Sequence, residues 1–319
     1  MCKKSNLGVL GAAGGIGSAL SLLLKLQPHL VSEIRMQDID KSMLGIAMDL
    51  SHINTPVTVQ GYTGGTQLKD ALKGADVVVI TGGISKVPVM TRENLLAPNA
   101  IIMRDLAIAC SELCPNAIID IVTNPVNSCL PIFCETMGRL GTLNPTKVIG
   151  VTTLDVTRIQ TFIANMKGLD PRQVTCPVIG GHSLVTMIPL LSQCKPHINF
   201  SENETEALFN KIRTAGDEVM KAKRGNGTAQ LSMAYSAAYF IFEQLKAMTG
   251  KPDVVQCGYS MNNIHKTEYF SSKLLLGKDG IIKDLGLGKL SNFEKEKLNE
   301  AIPLILKDVE TGRKFLKER

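Results

Sequence analysis

Hydrophobic positions in the first half of the chain fall into short runs separated by amphipathic stretches. The segments "NLGVL", "EIRMQD", "ADVVVIT", "IIDIV" and "KVIG" read as strands at 6–10, 33–38, 75–81, 118–122 and 147–150. The third and fourth are nearly continuous apolar, β-branched runs, the pattern of strands buried on both faces. Between them, apolar residues return at helical spacing over 15–27, 41–49, 92–113 and 126–139. Strands alternating with helices predict an α/β fold built on a parallel, doubly wound sheet. The pattern changes near residue 150. A helix is expected from Thr152 to Gly168, ahead of Asp170-Pro171, with strand-like pieces at 174–179, 185–188 and 254–260. Two more strands are expected in "YFSSKLLLGKDGIIKDL", joined at Lys278-Asp279-Gly280, and helices near 204–222, 228–247 and 291–316. The expected division is residues 1–150 and 151–319.

Composition narrows the function classes. A chain of 319 residues is long enough for two domains with real cores. Its net charge of +6 invites a polyanion, but the cations are scattered, aromatics are only 4% and there is no Trp to stack on bases. Nucleic acid is therefore not expected as a partner. No apolar run approaches the roughly 20 residues of a spanning helix, so no membrane is expected either. The opening "MCKKSN" does not read as a targeting segment, which gives cytoplasmic as the expected setting, with the mitochondrial matrix left open. Eight cysteines without a Cys-x-x-Cys pair read as reduced, buried thiols, and no metal site is expected.

Two groups of residues carry candidate chemistry. "LGVLGAAGGIGSAL" places Gly11, Gly14 and Gly17 between a strand and a helix, where glycines allow a tight turn and close approach of backbone to a pyrophosphate. Asp38 ends the next strand at the spacing of a carboxylate that binds a ribose 2′-OH, which favours NAD over NADP. Further on, "TNPVN" holds Asn124, "GVTTLDVTR" holds Asp155 and Arg158 on one helical face, and "PVIGGHS" holds His182. Alone, each has a plain structural explanation: a turn asparagine, an exposed ion pair, a histidine at a strand end. Together they fit hydride transfer from an alcohol, which needs a base for the hydroxyl proton, a carboxylate to orient that base and an arginine to clamp a substrate carboxylate.

These motifs, with "DLSHI", "PLLSQ" and "LSM", run in order nearly end to end, and the chain resembles the lactate/malate dehydrogenase family, nearer its mitochondrial and bacterial malate branch. The resemblance implies a Rossmann domain followed by an α+β catalytic domain, NAD as cofactor, a small dicarboxylate as substrate and a homodimer. It implies that His182 is the proton donor and acceptor, that Asp155 orients it, that Arg158 binds the proximal carboxylate and that Asn124 contacts substrate and cofactor. It places Gly11, Ala12, Ala13, Gly14, Gly15, Ile16, Gly17, Asp38, Asn99, Val122 and Met233 at the NAD site.

One departure bears on the substrate. After the strand ending at Thr81 comes "GGISKVPVMTR", with Lys86 and Arg92 and no acid. The family's loop here covers the substrate and typically carries two arginines and a glycine. Arg92 keeps one arginine, Lys86 replaces the other and Val89 replaces the glycine. Lysine keeps the charge but loses the planar fork. A malate dehydrogenase with an altered clamp is one reading. A 2-hydroxy acid dehydrogenase of shifted side-chain specificity is the other. The retained cation argues for a dicarboxylate. A catalytically silent NAD-binding protein is disfavoured because the base, its carboxylate partner and the proximal arginine are all present.

Overall fold

A computed structural model of the chain describes residues 4–84, 92–264 and 267–317, with residues 92 and 93 as backbone only. In the first half, β1 (Ser5–Leu10), β2 (Val31–Asp38), β3 (Thr58–Thr63), β4 (Val77–Ile80), β5 (Ile118–Ile121) and β6 (Val148–Gly150) pair in parallel. Their order is β3-β2-β1-β4-β5-β6. The strands are linked through α1 (Gly15–Lys25), α2 (Met43–Ser51), α3 (Leu68–Leu72), α4 (Arg92–Leu113) and α5 (Val126–Arg139). Every residue of β4 and β5 is buried, which explains why these strands are so apolar. The strand order reverses between β1 and β4, so the loops leaving their carboxyl ends diverge and open a crevice there.

The second half begins with α6 (Thr153–Lys167), β7 (Val178–Gly180), β8 (Met187–Pro189), α7 (Glu202–Ala222) and α8 (Gln230–Met248). It closes with β9 (Val254–Met261), β10 (Tyr269–Gly277), β11 (Gly280–Asp284) and α9 (Asn292–Lys317). β9 joins β6 antiparallel at Gly150 opposite Tyr259, and β10, β7 and β8 continue the sheet with β11 on β10. The described residues thus form one sheet of 11 strands. α7 starts at a capping box: Glu204 N–H donates to Ser201 Oγ, and Ser201 N–H donates to the Glu204 carboxylate at 2.8 Å.

The α/β fold, its doubly wound parallel sheet and the change of character in the second half are present as expected. Two elements have no counterpart in the sequence reading. β3, "TVQGYT", is an edge strand with no fully buried residue, so it lacks an apolar signature, and α3 is only five residues long. The strand expected at 174–179 is shorter: Thr175 makes an isolated bridge to Lys195, and pairing resumes at Val178. At 185–188 a 3-10 turn, Leu184–Thr186, comes before β8. All seven described cysteines are free and buried.

One buried charge is unexpected. Asp120 points from the middle of β5 to Gln244 of α8, whose Nε2 donates to Asp120 Oδ1 at 3.2 Å. Asp120 Oδ2 and Gln244 Oε1 are both buried without a partner among the described residues. Burial raises the Asp120 pKa to about 8, against a smaller lowering by the Gln244 bond. A proton on Oδ2 would let it donate to the orphaned amide oxygen. The folded pKa lies above the unfolded value, so this stabilisation is full below pH 4 and is lost as pH rises through about 8. Asp120→Asn, which keeps the pairing without a charge, should raise Tm more at pH 9 than at pH 5. An equal shift at both values in thermal melts would refute the assignment.

Candidate active site

The crevice above β1 and β4 is built from glycines packed beyond what any side chain would allow. Gly11 has φ +81°, and a Cβ there would lie 2.2 Å from Gly82 Cα. A Cβ at Gly17 would lie 2.4 Å from Gly11 O, so α1 packs directly on the turn. Thr81 Oγ1 donates to the carbonyls of Leu10 and Gly11, fixing the end of β4 against the same turn. Gly14 caps α1 with no side-chain hydrogen bond, and the first turn has no acid. Its N–H groups are left to an outside acceptor. Asp38, at the end of β2, accepts from Ala13 N–H at 2.9 Å and Asp40 N–H at 3.1 Å. Its carboxylate is thereby fixed at the lip of the turn.

The second cluster forms where β6, α6 and the β7–β8 hairpin meet. Thr152 precedes α6, and its Oγ1 lies 3.1 Å from Ser271 Oγ of β10, anchoring the helix start to the sheet. Asp155 sits in the first turn and Arg158 one turn later. His182 lies in the hairpin connection, where Gly181 N–H donates to Thr186 O and a Cβ on Gly180 would collide with that carbonyl at 2.1 Å. The His182 Nδ1 and Asp155 Oδ2 are 2.6 Å apart, with the side chains 11% and 1% exposed. With Nδ1 engaged by a carboxylate, Nε2 is the ring nitrogen left for other chemistry. Burial lowers the pKa of Arg158, and the Asp155 charge acts in the opposite direction.

Both clusters open on one cleft of about 290 Å³. It is lined by Ile16, Val122, Asn124 and Met233 on the nucleotide side and by Asp155, Arg158 and His182 on the other. Of the sequence-derived candidates, Gly11 to Gly15, Gly17 and Asp38 are not on that wall, and neither is Asn99. It is fully buried, accepts from Ile84 N–H at 2.7 Å, and donates to the carbonyls of Ile84 and Asn124. Its place is behind the cleft, where it ties the segment after β4 to the segment after β5. Lys86, Val89 and the Arg92 side chain lie outside the described residues. The pair Tyr269 and Lys273, spaced like the tyrosine and lysine of short-chain dehydrogenases, is in β10, and Lys273 Nζ is spent on Gln193 Oε1 at 2.8 Å.

A residue the sequence reading passed over is Asn127, the last letter of "TNPVN". Its Oδ1 accepts His182 N–H at 2.8 Å, while its Nδ2 donates to Asp308 Oδ2 at 2.9 Å and to Ser183 Oγ at 3.2 Å. Ser128 Oγ donates to the Asp308 carbonyl at 2.8 Å. The histidine segment is therefore held from α9 through α5. Only the repeated asparagine in the motif hinted at this. Arg213 of α7, which also lines the cleft, had no signal in the sequence.

Comparison with known proteins agrees with this geometry. Residues 5–150 match the lactate/malate dehydrogenase NAD binding domain, and residues 152–316 match the lactate/malate dehydrogenase alpha/beta C-terminal domain. The mitochondrial malate dehydrogenase of Pongo abelii is 50% identical over 313 residues, 98% of this chain and 92% of that protein. The Homo sapiens mitochondrial enzyme is 49% identical over the same shares. Among solved structures, Cryptosporidium parvum malate dehydrogenase superposes with a TM-score of 0.85 at 27% identity, covering 98% of this chain and 100% of that one. The lactate dehydrogenase of the same organism, solved with lactic acid and NAD, gives 0.85 at 26% identity, covering 98% and 99%. These relatives are named as mitochondrial proteins, which overturns the expectation of a cytoplasmic setting. That expectation rested on the opening residues, the cysteine pattern and the want of a long apolar run. The uncapped α1 start, the Gly11–Gly82 contact and the placed Asp38 all suit a dinucleotide. The chain belongs to the lactate/malate dehydrogenase family, with NAD as its cofactor.

Proposed function

We infer that the protein is a malate dehydrogenase, catalysing the reversible conversion of (S)-malate and NAD to oxaloacetate, NADH and a proton. The observation that carries this reading is the buried Asp155–His182 pair at 2.6 Å, set beside Arg158 in the cleft that begins at the glycine turn. Residues 1–150 serve as the cofactor half and 151–319 as the substrate half. Bound NAD supplies the acceptor for the hydride leaving the malate C2 carbon. Gly11 to Gly17, with Ala12, Ala13, Gly15 and Ile16, hold the pyrophosphate at the start of α1, and Asp38 holds the adenosine ribose. Val122 and Met233 enclose the nicotinamide end, and Asn99 supports that wall from behind. Arg158 binds the proximal carboxylate through its two-pronged guanidinium. Asn124 hydrogen-bonds substrate and cofactor. His182 takes the hydroxyl proton at Nε2, and Asp155 stabilises the imidazolium that results. Arg92 polarises the reacting oxygen, and Lys86 attracts the distal carboxylate.

The shifted-specificity alternative is not favoured, because the relatives at 49–50% identity are malate dehydrogenases. Comparing kcat/KM for NADH-dependent reduction of oxaloacetate, pyruvate, 2-oxoglutarate and phenylpyruvate tests the reading. Oxaloacetate should lead by orders of magnitude, and a leading monocarboxylate would sink it. A homodimer is part of the same reading. Leu231, Tyr235 and Tyr239 form an exposed i, i+4, i+8 stripe on α8, and Leu44 and Met48 form another on α2. Sedimentation of wild type as a monomer at micromolar concentration would remove that assignment.

A further inference from the structure

The cleft has a second arginine. α7 turns Arg213, Gly216, Asp217 and Met220 toward it, at the i, i+3, i+4, i+7 spacing of one helical face. Gly216 faces Arg158: a Cβ on it would lie 4.0 Å from Arg158 Nη1. Arg213 is three residues earlier, about 4.5 Å along the helix axis. On its other side, Arg213 Nη2 reaches Val185 O at 3.4 Å, three residues beyond His182. Arg213 therefore lies between the histidine segment and Arg158.

Its bonding is incomplete. Arg213 Nε is buried with no acceptor among the described residues, and the contact to Val185 is long for a hydrogen bond. No carboxylate lies within ion-pair distance of it among the described residues. Asp217, on the same face, has an interaction of its own. The Arg213 guanidinium lies 5.7 Å from the Phe209 ring centroid, which braces it from the protein side. A braced guanidinium with an unspent donor beside the cleft, one helical turn from the glycine that faces Arg158, is a receptor for a second anionic group. Burial lowers the Arg213 pKa, and the charge of Glu300, in α9, partly opposes that lowering.

We propose that Arg213 is a specificity-determining residue that binds the distal carboxylate of a C4 dicarboxylate while Arg158 binds the proximal one. The inference rests on the malate reading above and names the group that makes the site selective for a diacid. Lys86 attracts the same carboxylate as a point charge, whereas Arg213 offers a planar fork that fixes its direction. Selectivity then comes from the fixed wall of α7 as well as from the loop after β4.

The experiment is steady-state kinetics of the full-length protein with NADH and either oxaloacetate or pyruvate, for wild type, Arg213→Gln, Arg213→Lys and Lys86→Met, with thermal melts as a folding control. Arg213→Gln should lower kcat/KM for oxaloacetate by about 10- to 100-fold, mainly through KM, as expected for a lost charge-assisted bond. Pyruvate should suffer less, so the oxaloacetate-to-pyruvate ratio falls about tenfold or more. Arg213→Lys should recover part of that ratio. A fall shared equally by both substrates, no fall in either, or a ratio that only Lys86→Met changes would each overturn the assignment. The wild-type ratio separately decides the malate reading: if pyruvate leads in wild type, that reading fails whatever the variants do.

Discussion

His182→Asn is expected to lower kcat for oxaloacetate reduction by about 100- to 10,000-fold, the range over which a placed acid-base group contributes. Asparagine keeps a hydrogen-bonding side chain near Asp155 and the backbone N–H that Asn127 holds, so the hairpin connection should keep its shape. What is lost is the ring nitrogen that exchanges a proton with the substrate oxygen. The glycine turn, Asp38 and the uncapped start of α1 lie on the other side of the cleft. NADH affinity, measured by fluorescence titration, should therefore stay within about threefold of wild type, since no direct contact is removed. Near-normal turnover would show that another group handles the proton.

The second large effect is expected from Asp155→Asn, which should cost about 100- to 10,000-fold in kcat. The carboxylate holds Nδ1 at 2.6 Å from a position only 1% exposed, where no water can stand in for it. An amide of the same shape carries no charge to stabilise the imidazolium that donates to oxaloacetate, and by turning its NH2 toward Nδ1 it selects the wrong tautomer for taking the malate hydroxyl proton. Asp155 also favours the charged state of Arg158, which burial opposes. KM for oxaloacetate should rise along with the loss in kcat, whereas His182→Asn should act mainly on kcat. A kcat loss in Asp155→Asn below about threefold would leave the carboxylate with a packing role only.

The sequence discloses the parts of this protein governed by local rules. The buried parallel strands are legible because covered strands must be apolar. The glycine turn is legible because only glycine tolerates the Gly11–Gly82 approach. His182, Asp155 and Arg158 are each visible as residue types in motifs, but not their meeting, which depends on a hairpin 27 residues downstream of Asp155 folding back onto α6. Asn127 escaped because its value lies in an acceptor for His182 and a donor for Asp308, 181 residues away. Arg213 escaped for a related reason: on a solvent-facing turn it would be an ordinary helical arginine, and only the packing of α7 beside Arg158 gives it a task. Asn99 shows another case, a residue expected at the cofactor site whose bonds among the described residues go to the backbone of Ile84 and Asn124.

The sheet itself limits how such a site can open. Because β9 continues from β6 and the ladder runs on through β10, β7 and β8, the two halves share one hydrogen-bonded spine. The joint is the Gly150–Tyr259 pair, backed by α8 packed with α1 in one apolar cluster, so parting the halves would expose that cluster to water. The sheet thus acts as a fixed optical bench, on which the acid-base pair and the glycine turn keep their alignment.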